Sequence, residues 1–456
     1  MSDSPTTAIV WFRRDLRLDD NRALAAALAA ADQVAPLFVR DPAILDSGRV
    51  GRLRSERLEA ALVALDRELR DRGGRLVVRA GRPAQVVLSI ARETGARQVH
   101  VHRDHTPYAR RRDVAVAAAL EPAASFHVHP GNLLVEPEAV GQWRIFTPFH
   151  RAWTRSLDAS PPLAAPRRLR VPEMVGSEPL AGAAAQAGVL PGGEADAMGR
   201  LATFAARAGR YAADRDRLDL DATSGLSADL HFATISPRRV LDAIPEPAFA
   251  RQLAWRDWSA HVAWWEPESV QIGRPPVPER RPDLGAVPWD DDPALLAAWT
   301  EGRTGYPAVD AAMRQLAEEG WISNRARMIA ASFLVKDLLL DWQLGRAWFE
   351  RTLVDADVAS NGLNWRWVAG VGTDAAPYFR VMNPVIQGQR FDPHGAWVRR
   401  WVPELRRMPD ALVHRPWDAP SGSVPGYPPP VVDHAARRLE ALRRYRAARG
   451  AARGQS

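Results

Sequence analysis

The 456-residue chain contains no cysteine. That excludes disulfides and thiolate-held metal centres. Lysine is nearly missing too: Lys336 stands alone among 61 basic residues, the rest being arginine. Codon usage accounts for that skew without a functional reason. No run of about 18 apolar residues occurs, so no segment reads as a membrane span. The N-terminal MSDSPTTAIVWF has no basic region ahead of an apolar one. No secretory leader is therefore expected, and the cytoplasm is the expected compartment. Internal repeats are absent. So is a G-x-G-x-x-G after the first β-rich run, which argues against an ordinary dinucleotide site there.

What is present is ordinary in bulk: 46% hydrophobic and 25% charged residues, as in a soluble globular protein. The net charge of +7 favours a polyanionic partner but is equally compatible with simple solubility. Apolar β-rich runs at 8–12, 34–39, 75–78, 98–102 and 125–129 alternate with segments of helical spacing at 21–31, 52–72, 83–95 and 109–120. Strands separated by helices predict a Rossmann-like parallel sheet covered on both faces. The Pro-, Ala- and Gly-rich stretch 155–198 reads as a connector. Helical periodicity then dominates from 199 to 448, with Pro-rich breaks at 274–282 and 419–430. The expected organisation is an α/β domain over 1–135, a connector over 136–198 and an all-α domain over 199–450. The Arg-rich helix expected at 434–449 reads more readily as a solvated face than as a dedicated polyanion contact.

Polar chemistry is densest between Asp355 and Pro384. Asp355, Asp357, Asn361, Asn364, Trp365 and Trp367 fall within 13 residues, shortly after the apolar segment 328–340. Groups this dense beside a buried helix need hydrogen bonds or a ligand. A second cluster, Thr223-Ser224-Gly225-Leu226-Ser227, puts three hydroxyls and a glycine before a helical stretch. Read from its residues alone, it fits a helix cap or an anion site.

The phrases GRTGYPAVDAAMRQL (302–316), GWISNRARMIAASFLVKDLLLDW (320–342), the stretch after Asp355, and QGQRFDPHGAWVRRWVPEL (387–405) closely resemble the flavin-binding domain of the cryptochrome/photolyase family. WFRRDLRLDDN (11–21) and TSGLS (223–227) add two further family phrases in the expected order. The likeness spans nearly the whole chain and is greatest to the bacterial class I cyclobutane-dimer branch. The absent cysteines exclude the family's iron–sulfur branch.

The resemblance implies an α/β antenna-binding domain followed by a helical FAD-binding and DNA-binding catalytic domain. It also implies blue-light-driven repair of cyclobutane pyrimidine dimers, by electron transfer from reduced FAD to a lesion flipped out of the helix. The alternative is a cryptochrome-like photoreceptor using the same flavin and tryptophans. Thr223, Ser224, Gly225, Leu226 and Ser227, aided by Tyr211, match the grip on the FAD pyrophosphate. Arg327, Asp355, Ala356 and Asp357 match positions around the ring and ribose. Asn361 matches the residue facing flavin N5. Trp365, Trp342 and Trp289 match the family's electron-hopping chain, which serves photoreduction of the flavin and not the repair step. Ala233 departs from the family, which usually has Gly there.

For the lesion, the matching positions are Gln252, Trp255 and Arg256 on one segment and Asn324, Arg325 and Met328 on another. Arg215, Arg380 and Gln387 match contacts to the DNA strand. Gln252 stands where well-known cyclobutane-dimer enzymes carry Glu, and Gln also occurs in the branch repairing (6-4) photoproducts. That branch places two histidines four residues apart on one helical face. Here those positions are Asn324 and Met328, neither of which can transfer a proton, so they speak against that substrate. HRDHTPYARRRD (102–113) resembles the segment holding an 8-hydroxy-5-deazaflavin antenna, with Asp104 and Arg52 as candidate contacts; methenyltetrahydrofolate or no antenna are the alternatives. The expected partner is UV-damaged DNA, and the expected form is a monomer without membrane, metal or iron–sulfur cluster.

Overall fold

A computed structural model describes residues 5–173, 175–180, 192–270, 287–372, 380–420 and 424–453. The Pro-rich break at 274–282 and residues 373–379 of the polar stretch lie outside the described residues. The chain divides into two compact units. One holds residues 1–209, 224–267 and 354–357, and the other holds 210–223, 268–353 and 358–456.

In the first unit, β1 (Thr7–Phe12), α1 (Arg22–Ala30), β2 (Gln33–Arg40), α2 (Pro42–Leu45), α3 (Arg52–Arg70), β3 (Val77–Ala80), α4 (Pro83–Thr94), β4 (Gln98–His102), α5 (Pro107–Leu120) and β5 (Ser125–His129) follow in order. The strands form one parallel sheet, β3-β2-β1-β4-β5. Every residue of β1 is buried, as a central parallel strand requires. Its alternate side chains feed two cores. Ala8, Val10 and Phe12 join Leu24, Leu62 and Leu65, whereas Ile9 and Trp11 join Val87, Ile90 and Val116. The third strand starts two residues later than its apolar run, because the Leu76 N–H is taken by Asp66 Oδ1 at 2.8 Å. In turn, α5 starts two residues earlier than its periodicity, since Thr106 caps it ahead of Pro107.

Among the described residues, the Pro-rich segment after residue 155 has no regular helix or strand up to residue 180. It is nevertheless held along the sheet by backbone bonds, Val34 N–H to Arg170 O, Leu169 N–H to Arg72 O and Glu178 N–H to Val78 O. Leu169 and Val175 are buried in the two cores. The unit also holds α6 (Pro137–Val140), α7 (Phe146–Arg155) and α8 (Glu194–Ala205). After α9 (Tyr211–Asp214), which belongs to the other unit, come α10 (Ser227–Phe232), α11 (Pro237–Ala243) and α12 (Pro247–Trp265). Asp257 on α12 locks this region: it accepts from Leu134 N–H (2.8 Å), Val135 N–H (3.2 Å) and Trp153 Nε1 of α7 (2.9 Å).

The second unit is helical among its described residues. It comprises α9, α13 (Pro293–Thr300), α14 (Pro307–Glu319), α15 (Asn324–Lys336), α16 (Trp342–Thr352), α17 (Val358–Ala369), α18 (Pro384–Phe391), α19 (Ala396–Trp401) and α20 (His434–Arg453). Two isolated bridges, Asp290 with Leu340 and Val424 with Tyr427, are its described β-pairings. The Arg-rich α20 is docked rather than wholly solvated. Arg437 donates to Asp337 O and Leu338 O, Arg444 to Pro288 O, and the Tyr445 hydroxyl to Ala369 O. No described helix is long and apolar enough to cross a membrane.

Candidate flavin and lesion sites

In the Thr223–Ser227 turn, Gly225 has φ +66 and nothing within 4 Å of an added Cβ. The glycine is needed for backbone conformation and not for close packing. Ser224 Oγ accepts from Leu226 N–H at 3.3 Å, and α10 begins at Ser227. Asp229, fully buried, braces that helix by ion pairs to Arg57 (2.5 Å) and Arg200 (2.7 Å). At the other end Ala233 adopts φ +46, a left-handed cap where glycine is favoured. The family's usual Gly thus has a backbone reason, and Ala233 bears the strain. Tyr211 is buried, which raises its hydroxyl pKa, and the Arg215 guanidinium lies 5.4 Å from its ring centre.

Asp355, Ala356 and Asp357 form the short stretch before α17. Arg54 donates to Ala356 O at 3.3 Å and Arg14 to Asp357 Oδ2 at 2.9 Å. On α15, Arg327 Nε donates to Ile322 O at 3.0 Å. On α17, Asn361 Nδ2 donates to Arg346 O at 3.0 Å while the residue is 9% exposed. One of its two N–H donors is used there, and that contact does not engage its Oδ1 acceptor.

The three expected relay tryptophans grade from interior to surface. Trp365 is 2% exposed, Trp342 is 7% exposed, and Trp289 is partly exposed. Trp365 sits edge-on to Phe349 at 5.1 Å and to Trp299 at 6.3 Å. Gly345 makes room for it: a Cβ there would come 2.1 Å from Trp365 Cη2. That contact places Trp365 against the first turn of α16, which Trp342 opens. Asp290 N–H bonds Leu339 O at 2.8 Å, laying the Trp289 segment beside the residues that lead into Trp342. Trp289 in turn meets Tyr445 edge-on at 6.3 Å. Trp299 and Phe349 escaped the sequence reading, because a buried aromatic at helical spacing carries no mark of what it touches.

The expected lesion contacts occupy two groups. On α12, Trp255 is partly exposed and lies flat on Phe146 of α7, with centroids 3.6 Å apart and planes 4° from parallel. Gln252 turns its amide nitrogen onto Ala248 O of its own helix at 3.4 Å. Arg256 donates to Asn132 O at 2.7 Å and Leu230 O at 3.3 Å, and burial lowers its pKa despite the neighbouring Asp257. In the helical unit, Asn324 Nδ2 reaches Met328 Sδ at 3.5 Å, so both stand on one face of α15. Arg325 pairs with Asp216 at 2.8 Å, donates to Gln387 Oε1 at 3.3 Å and covers the Phe391 ring at 4.3 Å. Asp216 was not anticipated; the acid lying between Arg215 and Arg217 was its one sequence signal. Arg380 is exposed, and its carbonyl accepts from Lys336 Nζ at 2.9 Å.

Of the antenna candidates, Asp104 lies just past the carboxyl end of β4, the neighbour of β1 across the point where strand order reverses. Burial pushes its carboxyl up, but Arg14, Arg112 and Arg13 outweigh this and draw it down to about 2. Arg52 is largely exposed and pairs with Glu56 one helical turn on.

Residues 8–167 match the family model described as DNA photolyase, and residues 249–447 match the FAD binding domain of DNA photolyase. A parallel α/β region followed by a helical FAD-binding domain defines the chain as a flavoprotein. It is 43% identical to the deoxyribodipyrimidine photo-lyase of Streptomyces griseus, over 98% of this chain and 99% of that one. The crystal structure of a bacterial class III photolyase from Agrobacterium tumefaciens superposes with TM-score 0.91 at 36% identity, covering 99% of both chains. A cryptochrome from Synechocystis superposes with TM-score 0.87 at 29% identity, covering 97% of this chain and all of that one. The chain belongs to the cryptochrome/photolyase family. The residues present suit the flavin: the oriented Oδ1 of Asn361 is the kind of acceptor that a protonated ring nitrogen needs.

Proposed function

We propose that this protein is a light-driven DNA repair enzyme that reverses cyclobutane pyrimidine dimers. The observation that carries the substrate reading is the Asn324–Met328 contact on α15. It fills the two positions of an acid–base pair with groups that move no proton, while the substrate chemistry of dimer reversal requires none. The chemistry supplied by bound, reduced FAD is a light-excited electron lent to the dimer and returned after ring opening. Thr223, Ser224, Gly225, Leu226 and Ser227, with Tyr211, would hold its pyrophosphate, and Arg327, Asp355, Ala356 and Asp357 would hold its ring and ribose. Asn361 would accept a hydrogen bond at N5.

On α12, Trp255 offers the flipped lesion an apolar wall, and Gln252 and Arg256 address its polar edge; on α15, Met328 offers an apolar contact and Asn324 a polar one. Arg215, Arg325, Arg380 and Gln387 take the DNA backbone, which makes binding fall steeply with salt. Asp216, paired with Arg325, competes with phosphate for that guanidinium. Trp365, Trp342 and Trp289 carry electrons for photoreduction. An 8-hydroxy-5-deazaflavin antenna beside Asp104 and Arg52 is the favoured second chromophore, with methenyltetrahydrofolate or none as alternatives. The protein acts as a cytoplasmic monomer.

A photoreceptor role is the second reading, supported by the likeness to the Synechocystis cryptochrome. Purified, reduced protein incubated with a dimer-containing oligonucleotide under blue light separates the two. Light-dependent loss of dimer is expected; dimer that survives illumination unchanged would leave the photoreceptor reading standing.

A further inference from the structure

We infer that Phe146 is a positioning residue for lesion recognition, acting through Trp255. The inference rests on the reading of Trp255 as a wall of the lesion site. Phe146 opens α7 and is 1% exposed, yet its ring is stacked face to face on a partly exposed indole with a 4° tilt. Parallel rings at 3.6 Å leave the indole no room to turn about the bond to its ring. An exposed tryptophan otherwise has a broad, two-fold choice at that torsion. Trp258 closes the side of the stack, edge-on to Trp255 at 5.2 Å and 85° and to Phe146 at 6.0 Å and 81°. Trp258 is itself fixed by Nε1 donating to Trp143 O at 3.2 Å. Arg251, one turn before Trp255, brings its guanidinium to 5.0 Å from the Phe146 ring centre.

The register between the two helices is fixed independently of the rings. Asp257, two residues beyond Trp255, accepts from Trp153 Nε1, two turns beyond Phe146. The α7–α12 pair is therefore a rigid frame, and Phe146 is the part of it that dictates the plane of Trp255. One face of Trp255 is spent on Phe146, leaving the opposite face for a planar partner. A wall already in its bound orientation removes an ordering cost from binding. Because undamaged duplex gains little from that face, the effect falls on discrimination more than on total affinity. Phe146 touches no reacting atom; it acts by what it does to Trp255.

The test is a double-mutant cycle on the FAD-loaded protein. It compares binding of a dimer-containing oligonucleotide with binding of its undamaged twin at fixed salt. Phe146→Leu is expected to lower the preference for the dimer about three- to tenfold, the scale of one lost aromatic pair. Phe146→Tyr, which keeps the ring, is expected to stay within about twofold of wild type. In a Trp255→Ala background Phe146→Leu should have no further effect on the preference. FAD content and unfolding midpoint report whether each variant is folded. Should Phe146→Leu yield no folded holoprotein, Phe146→Met deletes the same ring with a more adaptable side chain. Full preference in the ring-deleted variant, or an equal loss with and without Trp255, overturns the positioning role. Full preference in Trp255→Ala alone overturns the lesion-wall reading itself, a different result from failure of the positioning role.

Discussion

In the helical unit the indole of Trp365 is enclosed, with Phe349 and Trp299 at its edges and Gly345 cleared to admit it. In the sheet-bearing unit Trp255 has one face packed on Phe146 and stays partly open to solvent. The same side chain is thus built into two kinds of site. An enclosed indole can lose an electron without moving and without a water shell to reorganise. A half-open one can offer flat apolar surface to something that arrives. The difference lies in the neighbours, and it suits the two roles proposed for these indoles: photoreduction for Trp365 and contact with the lesion for Trp255.

The largest expected effect breaks the first region alone. Trp365→Phe keeps a flat ring but removes the oxidisable indole, so photoreduction of oxidised FAD should fall to a small residue. Absorbance under blue light with an external reductant follows it, and near-normal photoreduction would remove Trp365 from the relay. Gly345→Ala attacks the same site sterically. With Trp365 Cη2 only 2.1 Å from the new methyl, the cost should be about 1–3 kcal/mol, seen as a lower denaturant midpoint. Unchanged stability would mean that the enclosure of Trp365 is looser than described.

The second region is broken by Gln252→Leu, which leaves the lesion's polar edge unpaired and should cost roughly 1–3 kcal/mol of dimer binding. FAD content should not change. If this variant still prefers the dimer over undamaged DNA as strongly as wild type, Gln252 does not read the lesion. In the present geometry one N–H of its amide faces Ala248 O, which leaves the second N–H and Oε1 to read a base.

A pH-dependent effect concerns Lys336, at the end of α15. Burial draws its ammonium down to about 7 from the usual 10.5, only partly opposed by Asp337. A folded-state pKa below the unfolded one means the unfolded chain binds more protons between these values. The penalty is therefore fully present below about pH 7 and is relieved as pH rises toward 10.5. Because this is the only lysine, a single side-chain nitrogen resonance reports it without ambiguity. A midpoint near 10.5 would show that the amine is better solvated than its surroundings indicate.

The central strands β1 and β2 were legible because apolar runs in a buried parallel sheet need no partner information, whereas β5, with no buried residue, was legible from its place in the alternation of strands and helices. The start of β3 was not, since it depends on the side chain of Asp66 capturing a backbone N–H. Composition marked 155–198 as a connector, but it did not disclose the backbone bonds that hold its first part along the sheet. Family wording singled out Trp255, Trp365 and Asn361. It was silent on Phe146, Asp257 and Asp216, whose importance comes only from what distant segments bring beside them. Ala233 was visible as a departure, whereas its reason, a left-handed helix cap, required the backbone.

The most direct test of this division uses chemically pre-reduced protein, which makes photoreduction unnecessary, and limiting amounts of dimer-containing DNA. Under blue light, wild type and Trp365→Phe should repair dimers at similar rates, while Trp255→Ala should repair them more slowly in proportion to its weaker binding. Equal loss in both variants would contradict the separation of roles, and absence of light-dependent repair in wild type would contradict the function itself.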